Sequence, residues 1–255
     1  MKKTLLMLAL AALLVPALVL AHFQVIKPSL SVVTKKSDAN IKLKIAFTHP
    51  FDEVYMDMAP PKQVGVMVNG KKKDLTGKIT EVKKGDYRTY ELSYKIAKPG
   101  DHVFYVEPAP YWEPSEGKYI IHYTKAVVHA FGLTEGWDEL VGFKIEIKPM
   151  VRPYGLWVGN VFQGQVLHNG KPVPNAEVEV TYLNEYLALK PIAEGLMPQV
   201  IVADENGVFT YAMPKAGWWG FAALAEDDAK MKSPDGKEVP VEIGGLMWVK
   251  ASDVK

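Results

Sequence analysis

Apolar and polar residues alternate along most of the chain. In NIKLKIAF (40–47), Ile41, Leu43, Ile45 and Phe47 share one side and lysines fill the other, the two-residue period of a strand with one buried face. VGVMV (64–68) runs into Asn69-Gly70, and YRTYELSYKI (87–96) follows with the same period. Asn-Gly between apolar alternations predicts a tight hairpin, because both central residues of the favoured turn need positive φ. HVFYVE (102–107), YIIHYTKAVV (119–128) and VGFKIEI (141–147) read as further strands. No segment carries a long 3.6-residue apolar period, although 183–196 has room for a helical turn or two.

Pro149 and Pro153 bracket a break at KPMVRPYG, and a fresh set of strand signals follows at 160–167 and 176–182, around the turn His168-Asn169-Gly170-Lys171. FQGQVLHNGKPVPNAEVEVTY and ADENGVFTYAMPKAGWWGFAAL have the cadence of a small antiparallel sandwich of the transthyretin or carboxypeptidase-regulatory kind. The expected fold is all-β: two antiparallel β-sandwich modules, an immunoglobulin-like one over 22–150 and a transthyretin/carboxypeptidase-regulatory-like one over 151–255.

The first 21 residues stand apart. Lys2 and Lys3 precede an apolar run from Leu5 to Leu20, and Val19-Leu20-Ala21 offers the small residues that a signal peptidase prefers. Residues 1–21 are therefore expected to be a signal peptide cleaved after Ala21, with Ala17 as the competing site, and the mature protein to be periplasmic. No later run is long and apolar enough for a transmembrane segment. With 30 basic and 29 acidic residues, two of the lysines in the leader, the charge is near balance and implies no nucleic acid or anionic membrane as partner. The chain has no cysteine, which excludes a lipoprotein anchor, disulfides, thiolate metal sites and Cys nucleophiles together. It also has no Gly-rich phosphate loop, no G-x-S-x-G elbow and no H-E-x-x-H pair, so no enzyme is expected.

What remains is histidine: His22, His49, His102, His122, His129 and His168. Cleavage after Ala21 would make His22 the first residue, whose α-amine and ring Nδ1 can chelate one ion; uncleaved or frayed, it does nothing. His49 ends an alternating strand before Pro50, where a ring can reach a neighbouring loop or simply meet solvent. His122 lies in the middle of an apolar strand and must find a hydrogen-bond partner, such as Tyr119 or Tyr123, or a metal. His129 is seven residues further, an odd offset that turns it to the opposite sheet face. His102 and His168 are expected at exposed positions. Met56 and Met58 pair at period two, with core packing the expectation and soft Cu(I) ligation the alternative, while Asp57 faces the other way. Glu113 could be an oxygen ligand, an acceptor that orients a ligand imidazole, or a solvated loop acid. The lysines of 71–73 and 83–84 read as solvated edges, and Trp218-Trp219 as core or intermodule packing.

At AHF, FTHPFDEVYMDM and PYWEPSEGKYIIHYTK, the sequence resembles a family of bacterial periplasmic proteins assigned to cobalt and nickel uptake systems, earlier labelled nickel-transport-complex subunits. NVFQGQVLHNGKPVPNAEVEV and PKAGWWGFAAL extend the resemblance over nearly the whole mature chain. Much of that family carries only the label of a domain of unknown function. The resemblance implies a site of His22, His49 and His122, an all-nitrogen set for Ni(II) or Co(II), with Cu(II) also accepted. It implies capture and handover of the ion to a membrane cobalt/nickel transporter. Three rival readings are a copper-binding periplasmic protein with an N-terminal histidine brace, a copper monooxygenase built on the same brace, and a carbohydrate-binding sandwich with Trp218 and Trp219 as its platform.

Overall fold

The computed structural model describes residues 22–193 and 196–254. The expected leader and its cleavage point after Ala21 lie outside the described residues. Within them the protein is all-β, and the strands stack in three layers. The outer first layer has the order β1 (Phe23–Pro28), β3 (Asn40–His49), β8 (Tyr87–Lys95), β7 (Thr80–Lys84), with β4 (Val54–Met56) paired to β3. The middle layer is an 11-stranded sheet. It runs β17 (Gln199–Val202), β16 (Glu177–Tyr182), β19 (Gly217–Glu226), β22 (Val241–Ser252), β11 (Lys118–Ala130), β9 (Gly100–Glu107), β5 (Gln63–Val68), β6 (Lys71–Asp74). β10 (Tyr111–Glu113) and β2 (Val32–Val33) join it at β11, and β13 (Leu156–Trp157) joins it at β22. The third layer holds β12 (Ile145–Pro149), β14 (Val161–His168), β15 (Lys171–Pro172) and β18 (Val208–Ala212), and β20 (Met231–Lys232) with β21 (Glu238–Val239) forms a small separate ladder.

Two sandwiches thus share their middle sheet. One core packs the first layer on the middle one, with Phe23, Ile41, Leu43 and Ile45 against Phe104, Val128, Leu246 and Trp248. The other packs the opposite face of the middle sheet on the third layer, with Tyr105, Val127 and Phe221 against Ile147, Phe162 and Phe209. The two-residue period explains how one strand serves both cores, since successive side chains of β11 leave opposite faces.

Two features join the strands on either side of the expected boundary at 150/151. β11 and β22 run parallel, with Tyr119 opposite Val241 through Ala126 opposite Trp248. β12, which precedes the expected boundary at 150/151, pairs antiparallel with β14 beyond it, Ile145 opposite His168. The reason lies in Glu146, which is buried beside Lys125 and takes backbone N–H bonds from Val141, Gly142 and Phe143. That cage pulls 141–143 out of the strand predicted at 141–147, leaving only its end to pair in the third layer. Both Asn-Gly turns have the predicted left-handed backbone, φ 49° and 69° at Asn69-Gly70 and 51° and 75° at Asn169-Gly170. Among the described residues of 183–196, the predicted turns reduce to one short 3-10 segment, Glu185–Leu187.

Candidate metal site

The site lies between the first layer and the middle sheet, at the end where β1 begins and β3 ends. β1 and β3 pair antiparallel with Phe23 opposite Thr48, so continuing the register by one residue sets His22 against His49. Their ring centroids are 4.6 Å apart, edge to face. The chain beyond His49 is fastened by the C-terminal half, because Asn184 donates from its backbone N to the Pro50 carbonyl at 3.1 Å and from Nδ2 to the Phe51 carbonyl at 2.9 Å. His122 comes from β11 in the facing sheet. Phe47 lies between the two sides, its ring 5.7 Å from that of His22 and 6.0 Å from that of His122. All three histidines of the implied set are buried, at 9%, 8% and 1% relative exposure for His22, His49 and His122.

Their hydrogen bonding is incomplete. Neither ring nitrogen of His49 has a partner, nor does Nδ1 of His122, and the buried Gln24 Oε1 and Thr124 Oγ1 are also unpartnered. A buried polar atom left unpaired costs about 1–3 kcal/mol. The remaining nitrogens meet carboxylates: His22 Nε2 stands 3.0 Å from Glu113 Oε2, and His122 Nε2 stands 3.1 Å from Glu242 Oε1. Burial pushes the His22 ring below the usual imidazole range, against Glu113, which raises it, and with the nearby His122, which lowers it further. Burial, joined by the charge of His22, takes His49 down to about 4. Both rings are therefore neutral at pH 7 and carry a lone pair. Burial raises the carboxyl of Glu242, but the bonds and charges of His122 and Lys118 overcome it and hold the group at about 2.

A cleft of about 290 Å³ opens beside His122, walled by Gln24, Phe47, Met58, Tyr111 and Trp112. Of the three histidines, only His122 lines it. Among the described residues, no group of three or more His, Cys, Asp or Glu side chains stands close enough, as placed, to hold one metal ion. His22 and His49 are in contact, and His122 faces them across Phe47. The unpartnered nitrogens of His49 and His122 are of the donor type that a transition metal takes.

The other sequence candidates separate cleanly. Met56 and Met58 pack in the core, at 8% and 4% exposure, and Asp57 turns outward to Arg88. His129 is on the opposite face, as its odd offset implies, with Nδ1 2.8 Å from the buried Asp101, which also accepts a bond from Tyr154 at 3.0 Å. His168 is half-buried at the end of β14. His102 corrects the expectation of exposure: it is 2% exposed, because Gly100 and Asp101 already belong to β9 and the ring packs beside Tyr94 and Phe104, with Nδ1 donating to the Gly100 carbonyl. Trp218 and Trp219 are core residues at 5% exposure each. The reading of single residues missed Glu242 and its neighbour Gly244. The available signal was the run VEIGGLMW, where an acid and paired glycines interrupt an apolar strand, a pattern that marks close approach by another group.

Fold and site together define an all-β, three-layered protein with a buried histidine cluster ordered by carboxylates. The chain belongs to the family described as Domain of unknown function (DUF4198), which it matches over residues 19–227. A comparison with curated proteins gives no match. Among solved structures, the D0-D1 domain of intimin is similar at 13% identity and a TM-score of 0.24, over 88% of this chain and 99% of that one. The titin Ig tandem domains A164-A165 are similar at 12% identity and a TM-score of 0.21, over 92% of this chain and 100% of that one. Alpha-2-macroglobulin of E. coli is similar at 9% identity and a TM-score of 0.24, over 90% of this chain and 14% of that one. Likeness at these scores carries no argument about the site. No helix among the described residues is long and apolar enough to cross a membrane.

Proposed function

We propose that this protein is a periplasmic metal-capture protein whose first sandwich binds one divalent transition-metal ion, Ni(II) or Co(II), and yields it to a membrane uptake transporter. The ion is cargo, held by His22, His49 and His122, and no bond of a substrate is made or broken. The observation that carries this reading is the set of buried, unpartnered imidazole nitrogens on His49 and His122 beside the neutral ring of His22. An ion bound there offsets the cost of leaving them unpaired. Cleavage after Ala21 adds the α-amine of His22 as a further donor on a segment at the rim. Phe47 stands between His122 and the His22–His49 pair as placed, so this reading requires the rings to close on the ion as it binds.

The test uses the exported, processed protein. Intact mass spectrometry before and after Ni(II) reads the terminus and the stoichiometry together, and calorimetry reads the affinity. His22→Ala with correct processing lowers Ni(II) affinity more than tenfold; unchanged affinity rejects the proposal. Copper is the second reading, favoured by Met58, which lines the same cleft as His122 and is a residue type that suits Cu(I). Cu(II) displaces Ni(II) at almost any nitrogen site, so Cu(I) decides: tight Cu(I) binding that is lost in Met58→Leu supports copper, and Cu(I) binding that is weak or indifferent to that change supports nickel.

A further inference from the structure

Resting on that metal-capture reading, we infer that Glu113 and Glu242 are positioning residues that lock His22 and His122 in the Nε2–H tautomer and so present Nδ1 of each ring to the ion. A carboxylate can only accept. The nitrogen facing Glu113 Oε2 at 3.0 Å, and the one facing Glu242 Oε1 at 3.1 Å, must therefore carry a hydrogen. Nδ1 is then the nitrogen that each ring has left to offer an ion, and Nδ1 of His122 is buried and unpartnered.

Each carboxylate is itself anchored on its far side. Glu113 Oε1 accepts from the backbone N of Ser115 at 3.0 Å and from its hydroxyl at 2.5 Å. Glu242 Oε2 accepts from Lys118 Nζ at 2.6 Å, and the same ammonium reaches Glu116 Oε2 at 2.5 Å. The other oxygen of Glu116 is 4.0 Å from His22 Nδ1, too far to take a hydrogen from it. The two pairs come from unrelated parts of the chain, 91 and 120 residues apart in sequence, and yet share one sense. For His22 the choice has a chemical consequence, since Nδ1 is the ring nitrogen that closes a chelate with the α-amine of the same residue. Carboxylates placed behind ligand imidazoles in this way orient the ring and raise its basicity.

The tautomer is read without any metal. Long-range ¹H–¹⁵N correlation on apo protein labelled with ¹⁵N-histidine shows both rings as Nε2–H. An Nδ1–H pattern from either ring overturns the assignment for that ring, while metal capture stands or falls separately on His22→Ala. In Ni(II) calorimetry, Glu113→Ala and Glu242→Ala each lower affinity about 10- to 100-fold. Glu113→Gln, whose amide oxygen still accepts from Nε2, recovers most of the loss. Full affinity in both alanine variants, or no recovery in the glutamine variant when melting shows it folded, overturns the positioning role.

Discussion

Replacing Gly244 with alanine tests the site through a single methyl group. Gly244 lies directly opposite His122 in the parallel ladder of β11 and β22. A Cβ at 244 would stand 2.5 Å from Cδ2 and 3.0 Å from Nε2 of His122, and 2.9 Å from a Leu246 methyl. Ordinary carbon contacts lie at roughly 3.5–4.0 Å, so the imidazole must retreat by about 1 Å. The ring cannot do so and keep its 3.1 Å bond to Glu242. Overpacking of this kind costs about 1–3 kcal/mol of stability. On the metal-capture proposal the displaced ring is also one of three metal donors, and Ni(II) affinity then falls about 10- to 100-fold, as for loss of an orienting partner. Gly164→Ala is the matched control: its Cβ would meet Phe209 at 2.7 Å and Ile147 at 2.8 Å in the second core, far from any of the three histidines. Thermal melts place both variants below the parent by comparable amounts, and calorimetry separates them, since only Gly244→Ala loses nickel. Parental nickel affinity in a folded Gly244→Ala protein refutes the reasoning, because it removes His122 from the ligand set.

Further outcomes follow from buried charge. Burial, together with the charge of Glu242, raises the Glu179 carboxyl to about 7, and its Oε2 has no partner. Its folded pKa lies above its unfolded one, so the stability it contributes is present below about pH 4.5 and is lost as pH rises toward and through 7. Glu179→Gln therefore melts close to the parent at pH 5 and above it at pH 8, by an amount equivalent to at most about 3 kcal/mol; a gap that fails to widen with pH contradicts this. Lys125→Met strands Glu146 in the second core with backbone donors alone, and chemical denaturation reads a loss of about 3–5 kcal/mol. Lys125→Met/Glu146→Gln recovers part of it, and a double variant no better than the single would show that the pairing is not the cause.

Much of this fold is legible in the alternation. In β3 the residues Ile41, Leu43 and Ile45 are buried while Asn40, Lys42 and Lys44 are exposed, the pattern that the period demands. The lysine-rich edges β6 and β7 are exposed throughout, and the two tryptophans of β19 are core. His122 is conspicuous in sequence because an imidazole in an apolar strand needs a partner, and the opposite orientation of His129 follows from counting. The parallel ladder is not legible. Parallel strands share no hairpin to announce their register, so nothing near residue 122 points to Glu242 or Gly244. Glu113 is only one loop acid until Ser115 and His22 are seen around it, and His102 is misjudged because Gly100-Asp101 looks like a turn and is a strand.

The partnership of β11 with β22 also sets a timetable. His122 meets Glu242 and Gly244 only once the strand at 241–252 has left the ribosome. A fragment cut short before that strand possesses all three imidazoles and still lacks the wall that aims one of them. If the cluster captures an ion as proposed, incomplete copies are poor competitors for it, and the supply is kept for molecules that have finished folding.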